Sequence, residues 1–108
     1  MPLVDIIELK GAFLMANSCT LAADGYNNGA NFSGCNFQGK DLSEAALIEA
    51  NLAGANLTGA NLSKADLIQA NLAGANLSKA ILASVNMIYM TTTDTTICPD
   101  GSKGPCKF

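Results

Sequence analysis

From Ala30 to Tyr89 the chain divides into twelve consecutive five-residue blocks without an insertion. That period excludes most of the folds open to so short a chain. The third residue of every block is large and apolar, running from Phe32, Phe37 and Leu42 through Leu77 and Leu82 to Met87. The first residue is small, Ala or Cys in ten of twelve blocks, with Lys40 and Val85 the exceptions. The second is Asn or Asp in ten of twelve, failing at Ala46 and Ile81. An α-helix needs apolar residues at spacings of three and four to build one face, and a spacing of five drifts around the cylinder. Asn in a helix interior also competes for the backbone's own hydrogen bonds. A flat sheet alternates with period two. A chain that repeats every five residues must turn a corner in every block.

The blocks resemble the A(D/N)LXX motif of the pentapeptide-repeat family. The resemblance covers Ala30 to Tyr89, and it implies an all-β fold, a right-handed quadrilateral β-helix in which four blocks make one coil. About three coils follow, with the central Leu or Phe and the small first residue inward. Stacked at strand spacing of about 4.8 Å, residues twenty apart lie above one another. Phe32, Leu52 and Leu72 form one inner column, and Leu42, Leu62 and Leu82 another. The Asn side chains are expected to bond turn backbone and to stack in ladders along the axis.

Both ends of a solenoid need caps, and residues 1–29 and 90–108 leave the register. Asp5 and Glu8 stand three apart before an apolar run, as in a capping box, and Ile6, Leu9 and Phe13 lie on one helical face. These predict a short helix over about 5–16, with turns to residue 29. In the tail, Pro99-Asp100-Gly101 and Gly104-Pro105 are turn signals that bring Cys98 back to Cys106, predicting a disulfide worth about 2.5 kcal/mol. The tail is also similar to that of cyanobacterial members of the family, some of them lumenal. Cys35 fills a slot usually held by Ala and is expected as a buried thiol, with Cys19 left open.

Composition narrows the function. There is no His and no Arg, which removes the commonest general base and the side chain best suited to bidentate phosphate or guanine contacts. The cysteine gaps of 16, 63 and 8 residues contain no CxxC, so no metal is expected. A bore filled with Leu and Ala leaves no ligand pocket, so neither catalysis, a cofactor nor a small-molecule substrate is expected. No apolar run reaches the length of a membrane span, and Met1-Pro2-Leu3-Val4-Asp5 does not read as a signal peptide. Oxidised Cys98 and Cys106 would favour thylakoid lumen or periplasm, and reduced thiols the cytoplasm.

What remains is the outside of the prism. Two sides carry small residues such as Ser33, Ala53, Gly34 and Gly54. One side instead aligns Ile48, Ile68 and Ile88, with Ala46 and Tyr89 beside them and Ile81 on the neighbouring side. Exposed apolar stripes mark contacts. The expected function is a structural or protein-interaction module that binds a partner or itself. The alternative implied by the family is an acidic DNA mimic that regulates a topoisomerase. Lys40, Lys64 and Lys79 against four acids in the coils weaken that alternative, as does the short rod.

Overall fold

The computed structural model describes residues 19–22 and 25–108. The helix expected over 5–16 lies outside them. Eleven parallel bridges order the chain into stacked coils, beginning at Tyr26↔Ala46 and ending at Asn76↔Ile97. Ten of them join residues twenty apart, so each coil has four sides of five residues. We name the sides by their first bridged residue: Tyr26, Asn31, Asn36 and Asp41. The ladder therefore starts one block before Ala30 and continues past Tyr89. One substitution and one inserted residue hide those outer blocks. Asn27 occupies the inward slot where Leu47 and Leu67 follow, and six residues separate the bridged Thr91 and Ile97 where five separate the others.

The repeat has a local cause at each position. The third-residue carbonyl accepts a hydrogen bond from the first N–H of the next block, as in Cys35 N to Phe32 O at 3.1 Å and Ala60 N to Leu57 O at 3.0 Å. The fifth residue lies at the third place of that turn and has positive φ, the sign that type II turns put there. Gly34, Gly39, Gly54, Gly59 and Gly74 serve that corner on the Asn31 and Asn36 sides. Glu44, Glu49, Lys64, Gln69, Ser84 and Tyr89 on the other two sides, and Lys79 on the Asn36 side, hold φ near +60°, a region costing an ordinary side chain roughly 1–2 kcal/mol.

The Asn at the second position completes the turn. Its Oδ1 accepts the fourth-residue N–H within the same block, for example Ala53 N to Asn51 at 3.0 Å and Thr58 N to Asn56 at 3.1 Å. The expected turn bond is thus present, and the Asn positions also stack along the axis, Asn31 on Asn51 and Asn51 on Asn71. Ala46 has no such oxygen, and there Asn28 supplies one from the coil below, accepting from Ile48 N at 2.7 Å.

Coils are joined chiefly by backbone bonds. Leu52 N donates to Asn71 O at 2.8 Å, and Asn71 N donates back to Ala50 O at 2.9 Å. Inside, Leu47, Leu52, Leu57, Leu62, Leu67, Leu72 and Leu77 are fully buried, with Ala50 to Ala75 filling the space between. Each such Leu contributes about 2 kcal/mol by leaving water. Phe32 and Phe37 close the first coil edge to face, ring centroids 5.3 Å apart, and Leu21 packs against this core.

Cys35 is not a free thiol. It is bonded to Cys19, Cα atoms 5.5 Å apart, which ties the segment Cys19–Ala22 to the first coil. Cys98 and Cys106 form the second disulfide. At that end Thr96, fully buried, replaces an apolar plug with hydrogen bonds: its hydroxyl donates to Leu72 O at 2.9 Å and accepts from Thr93 N at 2.9 Å. Ile97 then pairs antiparallel with Lys103. Gly104 lies against the Thr93 carbonyl where a Cβ would collide.

Candidate functional site

The packed bore confines function to the outer surface and the two ends. The Tyr26 side carries Ile48, Ile68 and Ile88 at the fourth position of successive coils, so its pleat turns them outward. Ile48 and Ile68 are half-buried by their stacked neighbours, whereas Ile88 is 56% exposed. Tyr89 at the adjoining corner is 81% exposed, and Ile81 on the Asp41 side is 50% exposed. Ala46 lies half-buried in the same side. Sequence reading missed Tyr26, which precedes Ala46 in its stack and is 64% exposed. The signal was there, since Tyr26 stands twenty residues before Ala46, but Asn27 beside it masked the block.

The tail does not cover this stripe. Thr91 stacks on Asn71 and Ile97 on Asn76, so residues 91–97 follow the Asn31 and Asn36 sides. Charged groups surround the stripe thinly: Glu49 and Asp66 belong to the Tyr26 side, Glu44 and Lys64 to the Asp41 side. Asp41 is held below the usual Asp value of 3.8 chiefly by the Ser43 hydroxyl, which donates to it at 2.6 Å, and by the Ser43 N–H. Asp100 is lowered in the same way by Ser102.

Two open depressions lie at the ends of the rod. One of about 400 Å³ is lined by Leu21, Asn27, Asp41, Ser43 and Glu44, and one of about 530 Å³ by the tail from Cys98 to Phe108. Both are shallow hollows with no converging acid, base and nucleophile. Among the described residues no three His, Cys, Asp or Glu side chains stand close enough together to share a metal ion, and all four cysteines are in disulfides. No helix among the described residues is long and apolar enough to cross a membrane.

A closed bore, a five-residue corner and a decorated exterior define a repeat scaffold. Residues 28–63 and 60–90 match the family model for pentapeptide repeats. The chain belongs to the pentapeptide-repeat family, and its quadrilateral β-helix is right-handed. Among solved structures it is similar to the pentapeptide-repeat protein Rfr23 of the cyanobacterium Cyanothece 51142, at 32% identity and a TM-score of 0.56 over 68% of this chain. It is also similar to a pentapeptide-repeat protein of the Arabidopsis thaliana thylakoid lumen, at 32% identity and a TM-score of 0.44 over 67% of this chain. The chain spans 63% of the first relative's length and 57% of the second's. No curated protein matches it.

Proposed function

We propose that this protein is a non-catalytic interaction module that holds a partner protein against its Tyr26 side. The single observation behind this reading is the apolar column Ile48–Ile68–Ile88, flanked by exposed Ile81 and Tyr89. The repeat does not require Ile there. The same position is Ala53, Thr58, Ser63, Ala73 or Ser78 in other blocks, and those blocks fold with the same turn bonds. Stacked about 4.8 Å apart, the three side chains form one strip on a rod of about three coils that is otherwise covered with small and polar groups. Such strips gain free energy by leaving water against a second surface.

Two disulfides in so small a chain fit an oxidising compartment, and thylakoid lumen or periplasm is the location we favour. A DNA-mimicking role is the weaker reading, because Lys40, Lys64 and Lys79 interrupt the acids Asp41, Glu44, Glu49 and Asp66.

Ile68→Ser tests the proposal. The protein and its variant, immobilised side by side, should capture the same extract differently. The expected result is a partner held by the native chain and by Gln38→Lys, on the opposite side, but lost with Ile68→Ser. Melting temperatures should stay within a few degrees of each other. A large drop in melting temperature for Ile68→Ser would mean that the strip is covered from within the chain, and the proposal would fall.

A further inference from the structure

Ala46 lacks the oxygen that the fourth N–H of its block needs, and Asn28 supplies it from the coil below. That substitute places a carboxamide at the fourth position of a block whose fifth position is Gly29. Asn28-Gly29 is the only Asn–Gly pair in the chain. In the coils each second-position Asn is followed by Phe, Leu or Met, whose bulk hinders attack by that residue's own nitrogen. Gly29 offers no such shield. It stands at φ +73°, and the space where a Cβ would lie is empty. The other glycines at this corner position follow Ser33, Gln38, Ala53, Thr58 and Ala73, so the labile pair occurs once, where Ala46 made it necessary.

We propose that Asn28 is a site of spontaneous covalent modification, gated by the opening of the first coil. The Gly29 nitrogen attacks Asn28 Cγ. The new N–Cγ bond forms as the Cγ–Nδ2 bond breaks, and Nδ2 leaves as ammonia with the proton from Gly29. Water then opens the five-membered imide at either carbonyl, giving aspartate or isoaspartate. In the closed coil both reacting groups are engaged with one residue. Ile48 N donates to Asn28 Oδ1 at 2.7 Å, and Gly29 N donates to Ile48 O at 2.8 Å. The ring can close only after this corner leaves Ile48. The corner belongs to the first bridged block of the ladder, Tyr26↔Ala46. Its inward slot holds Asn27, which is buried and whose Nδ2 has no hydrogen-bond partner among the described residues. An orphaned donor of that kind weakens the closed state. The two products differ in what they leave behind. Aspartate still offers an oxygen to Ile48 N. Isoaspartate adds one carbon to the main chain between residues 28 and 29, so the corner no longer meets Ile48. The change stays when the coil closes again, and it lies at the foot of the Ile column.

The test incubates the full chain at neutral pH in buffer and in denaturing urea, with peptide mapping of the mass gained at each Asn. In urea Asn28 should react ahead of the coil Asn residues that precede Phe, Leu or Met. In buffer Asn28 should react about ten-fold more slowly than in urea, or slower still, in proportion to the time the corner spends open. The isoaspartate form, separated from the rest, should lose amide-exchange protection at Gly29 and Ile48 while Leu72 and Leu77 keep theirs. Asn28→Asp, which carries the same charge without the added carbon, should keep Ile48 protected. Equal rates in buffer and urea overturn the gate, and no preference for Asn28 in urea overturns the site. An isoaspartate chain with Gly29 and Ile48 still protected overturns the consequence. Loss of Ile48 protection in Asn28→Asp does so as well, since charge alone would then open the corner. If the isoaspartate chain does not fold, the two rates on the native chain decide alone.

Discussion

Replacing Leu62 with Ala removes a side chain that sits between two others of its column, Leu42 below and Leu82 above. Leu62 is fully buried, and its neighbours Ala60 and Ala65 are too small to move into the space. The bore is walled by backbone bonded above and below, Leu62 N to Ile81 O at 2.8 Å and Asn61 N to Lys40 O at 2.9 Å, so the cavity cannot collapse. The expected cost is therefore near the upper part of the range for such truncations, about 4 kcal/mol. Leu82→Ala makes the same chemical change at the partly buried open end, where water already reaches one side of the residue. About half the cost, roughly 2 kcal/mol, is expected there. Against a total stability of about 5–15 kcal/mol for a domain, the first change removes a large share of what holds the rod. Urea unfolding followed by circular dichroism measures both. Thr58→Lys, on the outside, is the control and should cost under about 1 kcal/mol. Equal losses at Leu62 and Leu82, or a loss at Thr58 as large as that at Leu62, would refute the assignment of inside, outside and end.

Three further outcomes follow from named bonds. Non-reducing peptide mapping should recover two linked pairs, Cys19 with Cys35 and Cys98 with Cys106. Reduction should lower stability by about 3 kcal/mol for the first loop and about 2.5 kcal/mol for the second, from loop sizes of 16 and 8 residues. Asn28→Ala should cost about 1–2 kcal/mol in urea unfolding, because it strips Ile48 N of its acceptor; Asn56→Ala should cost a similar amount by freeing both the N–H and the hydroxyl of Thr58. The hydrogen bonds from Ser43 hold Asp41 below the usual value of 3.8. Its contribution to stability is thus present above that value and lost as the pH falls through the lowered folded value. Ser43→Ala should return the Asp41 titration, followed by NMR, toward 3.8, and an unchanged titration would count against the bond.

How much of this could be read from residues alone varies with how far a position departs from the block. The inward Leu and Ala positions were legible because a fully buried column tolerates few side chains. The Asn positions were legible as turn residues, but not their detailed use. Both a stacked ladder and an in-block bond suit an exposed carboxamide, and only the backbone shows Oδ1 facing the N–H two residues on. Tyr26 was hidden by the polar Asn27 in a Leu slot. The last block was hidden by the extra residue between Thr91 and Ile97. Cys98 and Cys106 were close in sequence with turns between them, so their pairing could be anticipated. Cys19 and Cys35 had no such local signal, and an Ala-sized slot explained Cys35 well enough to conceal its bond. The Ile strip was visible as an excess over what the repeat needs, whereas the use of Asn28 appears only once every backbone donor has been followed to its acceptor.

The two disulfides also give the rod a mechanical character. Cys19–Cys35 closes a loop at one end, and Cys98–Cys106 closes one at the other. A pull applied to the termini therefore cannot lengthen those loops. It reaches the bonds between coils, where each residue is held only by the coil before and the coil after. Yielding should go one winding at a time, like thread leaving a bobbin, and each twenty-residue winding releases about 70 Å of chain. The travel stops when the thread between Cys35 and Cys98 has run out, at about 220 Å. Reducing agent moves those stops outward without touching a single bond of the coils between them.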